Sequence, residues 1–186
     1  MTSPGSGKQS DAPVAYTIGH SRHRLAAFVA LLKKYGVKMV ADARSAPYSR
    51  IAPHFNYGEL EPALVKYFMY YKYMGNMIGG KPADTAYARA AGGVDYEKLG
   101  ASPNFVTGLD RLADLARGQA TAVMCSEEDP AKCHRALLIA PGLIARGFEV
   151  RHIRGDGSAV AHEDIKPAAG GRTGPGTPPG AQLELF

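Results

Sequence analysis

The stretch Met124–Leu138, M-C-S-E-E-D-P-A-K-C-H-R-A-L-L, contains both cysteines of the chain, and His134 and Arg135 follow the second directly. Between them lie Glu127, Glu128 and Asp129, in a chain whose formal net charge is +5. Three chemistries suit such a segment. A cysteine thiolate can act as nucleophile with a histidine as proton shuttle, and His20, His134 and His152 are candidates for that role. Alternatively, Cys125, Cys133 and His134 can hold a divalent metal such as zinc, although the spacing is not the short cysteine pair of a zinc finger. In the third, Arg135 and helix N–H groups hold a phosphate while the cysteines pack. The plain structural reading has both thiols buried and inert, with Arg135 paired to Glu127 or Asp42.

Asp129 followed by Pro130 reads as the N-cap and first residue of a helix. That helix would place Cys133, His134 and Arg135 near its positive end, where Lys132 and Arg135 also favour a thiolate. The acidic loop argues against a phosphate-transferring cysteine and fits Glu127 or Glu128 as a proton carrier. No G-x-x-x-x-G-K-[ST] loop and no well-placed G-x-G-x-x-G occur in the sequence, so no nucleotide cofactor is expected.

These residues need strands to position them. Val14–His20 is a short β-prone run ended by glycine. Leu25, Phe28, Val29, Leu32 and Tyr35 recur at helical spacing up to Gly36. Val37–Ala41 reads as a buried strand, Tyr57–Phe68 as a helix and Met69–Met74 as a third strand. Asn104–Arg117 carries Phe105, Leu109, Leu112 and Leu115, a helix closed by Gly118. Thr121–Cys125 is a fourth strand, Pro130–Arg146 a helix kinked at Pro141-Gly142, and Glu149–Ile153 a fifth strand. Strands alternating with helices predict an α/β fold: one three-layer domain with a mostly parallel sheet and helices on both faces. In such sheets ligands bind at the carboxyl ends of the strands. His20-Ser21, Asp42 to Arg50, Gly79-Gly80, Cys125 to Arg135 and His152 to Asp156 would then converge on one rim. Each also has an ordinary explanation: a backbone-satisfied histidine, an Asp42–Arg44 ion pair, a glycine turn.

The order I-G-H-S, D-x-R-x-x-P-x-S-R, P-H-F-N, G-G and C-x-E-x-D-P-x-x-C-H-R resembles the bacterial and archaeal family called domain of unknown function 488. The resemblance runs from about Tyr16 to Ile153, and its most specific part is the cysteine-to-arginine segment. It implies an α/β domain with clustered polar motifs and no assigned reaction. Ala43 replaces the usual valine, Ile78 the usual leucine, and Pro141-Gly142 interrupts the last helix. Together the residues and the resemblance nominate Cys125, Cys133, His20, His134, Asp42 and Glu127 for catalysis. Ser21, Arg44, Ser49, Arg50, Asn56, Gly79, Gly80 and Arg135 are nominated for an anion or substrate.

The chain has 186 residues, 45% hydrophobic and 21% charged, which is ordinary globular composition. No apolar run reaches the ~18–20 residues of a membrane span, and the N-terminus lacks a signal-peptide core. A cytoplasmic protein without a membrane partner is expected, and the basic charge permits a nucleic acid or phosphorylated substrate. Residues 1–12 read as a disordered leader, 13–166 as the α/β domain and 167–181 as a Gly/Pro linker. The chain then ends Gln182-Leu183-Glu184-Leu185-Phe186. That pentapeptide resembles the peptide by which bacterial polymerases and repair proteins dock on the replication sliding clamp, with Gln182, Leu183, Leu185 and Phe186 as contacts. The competing reading folds these apolar residues back onto their own domain. Two function classes follow: a DNA repair or replication-linked protein with a working Cys/His/Arg/Asp site, or a non-catalytic adaptor recruited to the clamp.

Overall fold

The structure, a computed structural model, describes residues 12–166. The leader up to residue 11, the linker and the pentapeptide 182–186 lie outside the described residues.

Strand β1 (Val14–Gly19) leads to helix α1 (Leu25–Lys34), strand β2 (Met39–Asp42), a 3-10 turn (Pro53–Phe55), helix α2 (Leu60–Val65) and strand β3 (Tyr70–Tyr73). The short helices α3 (Gly75–Ile78) and α4 (Tyr96–Gly100) precede the long α5 (Pro103–Gly118) and strand β4 (Thr121–Cys125). Helix α6 (Ala140–Ile144), strand β5 (Glu149–Ile153) and strand β6 (Ala159–Ala161) complete the domain. One sheet has the order β3-β2-β4-β1-β5-β6. All pairings are parallel except β5 with β6. The three-layer α/β expectation holds, with β6 an antiparallel addition too short to show a pattern in the sequence.

Alternation decides which side chain goes to which layer. Val40, Ala122, Met124 and Ile18 pack with Phe28, Val29 and Leu32 of α1 and with Leu60 and Leu64 of α2. Ala41, Ala43 and Val123 face the other way, against Phe105, Leu109 and Leu112 of α5 and Leu143 of α6. α5 forms because its apolar residues repeat every three or four positions, Ser102 caps it by accepting the Phe105 amide, and Pro103 starts it.

Two expected helices differ in extent. The one drawn over Tyr57–Phe68 is only Leu60–Val65. Gly58 has φ +91° and Phe68 has φ +60°, left-handed conformations that cannot continue a helix. The helix drawn over Pro130–Arg146 is broken. Pro130–Lys132 is a 3-10 turn, Cys133 is extended at φ −122°, ψ 141°, Arg135–Ile139 is a π-turn, and α6 follows. Pro141 has no N–H to donate to the Leu137 carbonyl, and the turn before it is a wide one, closed by the Ala140 amide on the Arg135 carbonyl.

Candidate functional site

The expected strand-end groups do reach one rim, but alternation divides them between the two faces of the sheet. His20, Asp42 and Arg44 fall on the α1 side and Cys125 on the α5 side, each in step with the core residue two positions earlier. The two clusters touch through the backbone: the His20 amide donates to the Cys125 carbonyl at 2.8 Å.

On the α1 side, Asp42 and Arg44 form a buried ion pair. Arg44 Nε donates to Asp42 Oδ1 at 2.9 Å and Nη2 to Oδ2 at 2.6 Å. The Arg44 amide and the Tyr71 hydroxyl complete the carboxylate's partners. Nη2 also donates to the Phe55 carbonyl at 2.6 Å, and Nη1 to His20 Nε2 at 3.1 Å. A guanidinium has no acceptor, so Nε2 of His20 carries a lone pair and Nδ1–H donates to the Ser21 carbonyl. Burial first, then the Arg44 charge, pushes His20 down to about 4. His20, stacked on Phe55 at 4.4 Å, is thus a neutral brace whose lone pair is engaged, and Arg44 faces inward rather than toward an anion. Ser49 and Asn56 lace the following loop, the Ser49 amide donating to Asn56 Oδ1 at 2.6 Å. The D-x-R motif therefore ties together the ends of β1, β2 and β3 and the Pro53–Phe55 turn.

On the α5 side, Cys125 ends β4 and meets Cys133 and His134. His134 Nδ1 lies 3.8 Å from Cys125 Sγ and 3.7 Å from Cys133 Sγ. Cys125, Cys133 and His134 are 7%, 4% and 7% exposed. His134 Nε2 is 3.2 Å from the Ala43 carbonyl, which requires a proton on Nε2 and turns Nδ1 toward the sulfurs. The two thiols titrate as a pair that splits. The neighbouring Cys133 thiol, then His134 and the Glu127 backbone, hold the Cys125 thiol far below its usual range, against burial. The Cys125 thiol, then burial, raises Cys133. Cys133 is not inside a helical turn, as the sequence suggested. Its carbonyl accepts the Ala136 and Leu137 amides, so it caps the start of the following turns.

The glycines make close approach possible. A Cβ on Gly80 would lie 2.3 Å from His134 Cγ, so only glycine lets the chain lie flat on the imidazole. A Cβ on Gly79 would meet the Gly75 carbonyl at 2.3 Å. Arg135 is fully buried and holds the Cys125-to-Cys133 loop from beneath. Its Nη1 donates to the Glu127 carbonyl and its Nη2 to the Glu128 carbonyl at 2.6 Å. It pairs with neither Glu127 nor Asp42, and its Nε is buried without a partner. Glu127 accepts the Asp129 amide, and Glu128 accepts the Gly155 amide at 2.7 Å.

Beside Ser126 the rim opens into a cleft of about 260 Å³ lined by His20, Ser21, Arg22, Ser49, Glu127 and Glu128. Ser21 there holds φ +43°, a strained conformation for a side-chain-bearing residue. Arg50 is exposed nearby in the chain. A larger hollow of about 900 Å³ runs along the β3 edge past Tyr70, Lys72, Met77 and Arg111 and contains none of these reactive groups.

Two participants escaped the sequence reading. Tyr71 bonds Asp42, with alternating strand residues as the available signal. Phe55, which the P-H-F-N motif did single out, supplies both a carbonyl and a ring. Tyr96, the second, stands at the start of α4; burial first, then the nearby Cys133 and Cys125, raise its hydroxyl. It sits in a stretch without apolar periodicity, where only the Asp95 cap marks a helix start. Among the described residues no helix is long and apolar enough to cross a membrane.

No curated protein and no solved structure matches this chain. The family described as a domain of unknown function, DUF488, matches residues 24–140, which take in both cysteines, His134, Arg135, the Asp42–Arg44 pair and the glycine pair. Covering more than half of the sequence, that match places the chain in the DUF488 family.

Proposed function

We propose that the protein is an enzyme acting on nucleic acid or another phosphorylated substrate, with Cys125, Cys133 and His134 as its reacting centre. The observation that carries the reading is the convergence of two sulfurs and one imidazole nitrogen at the carboxyl end of a parallel strand. A low thiol beside an oriented histidine is the arrangement that nucleophilic or ligand chemistry needs. The net charge of +5 and the exposed Arg22, Arg24 and Arg50 favour an anionic substrate. The terminal pentapeptide gives the reading its setting: the cytoplasm, at the replication clamp, in repair or replication-linked work. Exposed Tyr48 at the rim offers a ring for base stacking.

The burial of both thiols favours a second reading, a non-catalytic adaptor that the same tail recruits. Chromosomal Cys125→Ala separates the two. The enzyme reading expects sensitivity to DNA-damaging agents at wild-type protein levels; an unchanged strain leaves the adaptor. Deleting residues 182–186 is expected to abolish co-purification with the clamp, and retained co-purification removes the tail from the proposal.

A further inference from the structure

We infer that Cys125, Cys133 and His134 bind a divalent ion of the zinc class, through two thiolates and Nδ1, with one coordination position left to water or substrate. The inference rests on the functional reading above and gives its centre a chemical identity.

The distances carry it. With Zn–S of about 2.3 Å and Zn–N of about 2.0 Å, a tetrahedral site has S···N edges of about 3.5 Å and an S···S edge of about 3.8 Å. The two S···N separations are 3.8 Å and 3.7 Å, so those two edges need to contract by only ~0.3 Å to close on an ion. The three donor atoms lie within 4.8 Å of one another. The imidazole is oriented as a ligand requires. Its Nε2–H is fixed by the Ala43 carbonyl at 3.2 Å, and a backbone carbonyl on the far nitrogen is the usual outer partner of a metal-bound histidine. Gly80 packs against the ring and holds that orientation. The ligand set is soft, which suits zinc and does not suit magnesium or calcium, whose ligands are oxygens. Among the described residues the cluster has three members, the number typical of catalytic rather than structural zinc. Binding balances by proton loss: the ion replaces each thiol proton still present, those protons pass to solvent, and no oxidant is needed.

The test uses the full chain purified anaerobically without a metal-affinity step. Zinc by mass spectrometry is expected at one per chain, and at less than a tenth of that in Cys133→Ser and in His134→Gln. A variant can misfold, so the wild-type protein supplies a second readout. After chelation, added cobalt(II) is expected to give thiolate charge-transfer absorption and the intense visible bands of a tetrahedral ion. Zinc is expected to slow thiol alkylation at least tenfold. Absence of the cobalt spectrum, or thiols equally reactive with and without zinc, overturns the site; stoichiometric iron or copper overturns its identity. The two proposals fail separately. An ion-free protein whose Cys125→Ala strain is damage-sensitive sinks the metal alone. A zinc-loaded protein whose Cys125→Ala strain is healthy sinks the enzyme alone.

Discussion

His152 should make this fold acid-sensitive well above the range where carboxylates titrate. It is fully buried in β5, with Nδ1 2.7 Å from Thr17 Oγ1 and Nε2 3.0 Å from His162 Nδ1. Burial, then His162, Arg135 and Arg154, push it from the usual 6.5 to about 3. A histidine lowered by folding contributes stability that is complete above the unfolded value and fades as pH falls below it. At pH 5 the unfolded chain has bound the proton and the folded chain has not. The gap of about 1.5 pH units below 6.5 costs about 2 kcal/mol at about 1.36 kcal/mol per unit. His20, buried and lowered to about 4, contributes a similar loss. Their sum, about 4 kcal/mol, is a large part of the ~5–15 kcal/mol that holds a domain. Urea unfolding at pH 7 and pH 5 measures it. With a slope of about 2 kcal/mol per molar, the midpoint should fall by ~2 M. His152→Asn should remove about half of that fall, whatever it does to absolute stability. A midpoint that does not move between pH 7 and 5, or a fall unaltered in His152→Asn, would refute the reasoning.

Two further substitutions probe the two faces of the rim. Asp42→Asn leaves the buried Arg44 charge without its partner and should cost about 3–5 kcal/mol, read as a lower denaturation midpoint. A loss under 1 kcal/mol would mean that Arg44 finds solvent. Gly80→Ala places a Cβ 2.3 Å from the His134 ring; it should cost ~1–3 kcal/mol by thermal denaturation and move the His134 proton resonances, while His152 resonances stay in place.

Much of the sheet was legible because buried parallel strands are short apolar runs between glycines and caps. Thr121–Cys125 and Glu149–Ile153 appear in the structure as read. The last helix was misread because Asp129-Pro130 does cap a turn, but a turn that stops at Cys133; nothing in the apolar spacing of Leu137, Leu138 and Ile139 separates π from α. The rim was read correctly as a place and incorrectly as one pocket. Strand parity would have divided it: Asp42 stands two after Val40, Cys125 two after Val123, and those valines face opposite layers. Arg135 looked like an anion receptor because burial is not written in a residue's type. Its partners are carbonyls of the loop that the cysteines bracket, a pairing that only the three-dimensional course of the backbone creates.

The strand order has a consequence for how the chain is made. β1 sits inside the sheet, and both of its neighbours are distant in sequence: Tyr16 pairs with Ala122, and Val14 with Glu149. A ribosome adding ~5–20 residues per second needs roughly 5–20 s to produce the first partner strand after β1 emerges. Until then the alternate apolar residues of β1 have no sheet to join, while β2 and β3, joined through α2, can already pair. The first strand synthesised is therefore among the last to be paired, and the long separations it closes make loop-closure entropy a major part of the folding barrier. A nascent chain of this topology spends seconds with its future central strand unprotected, which is the interval in which a chaperone has most to do.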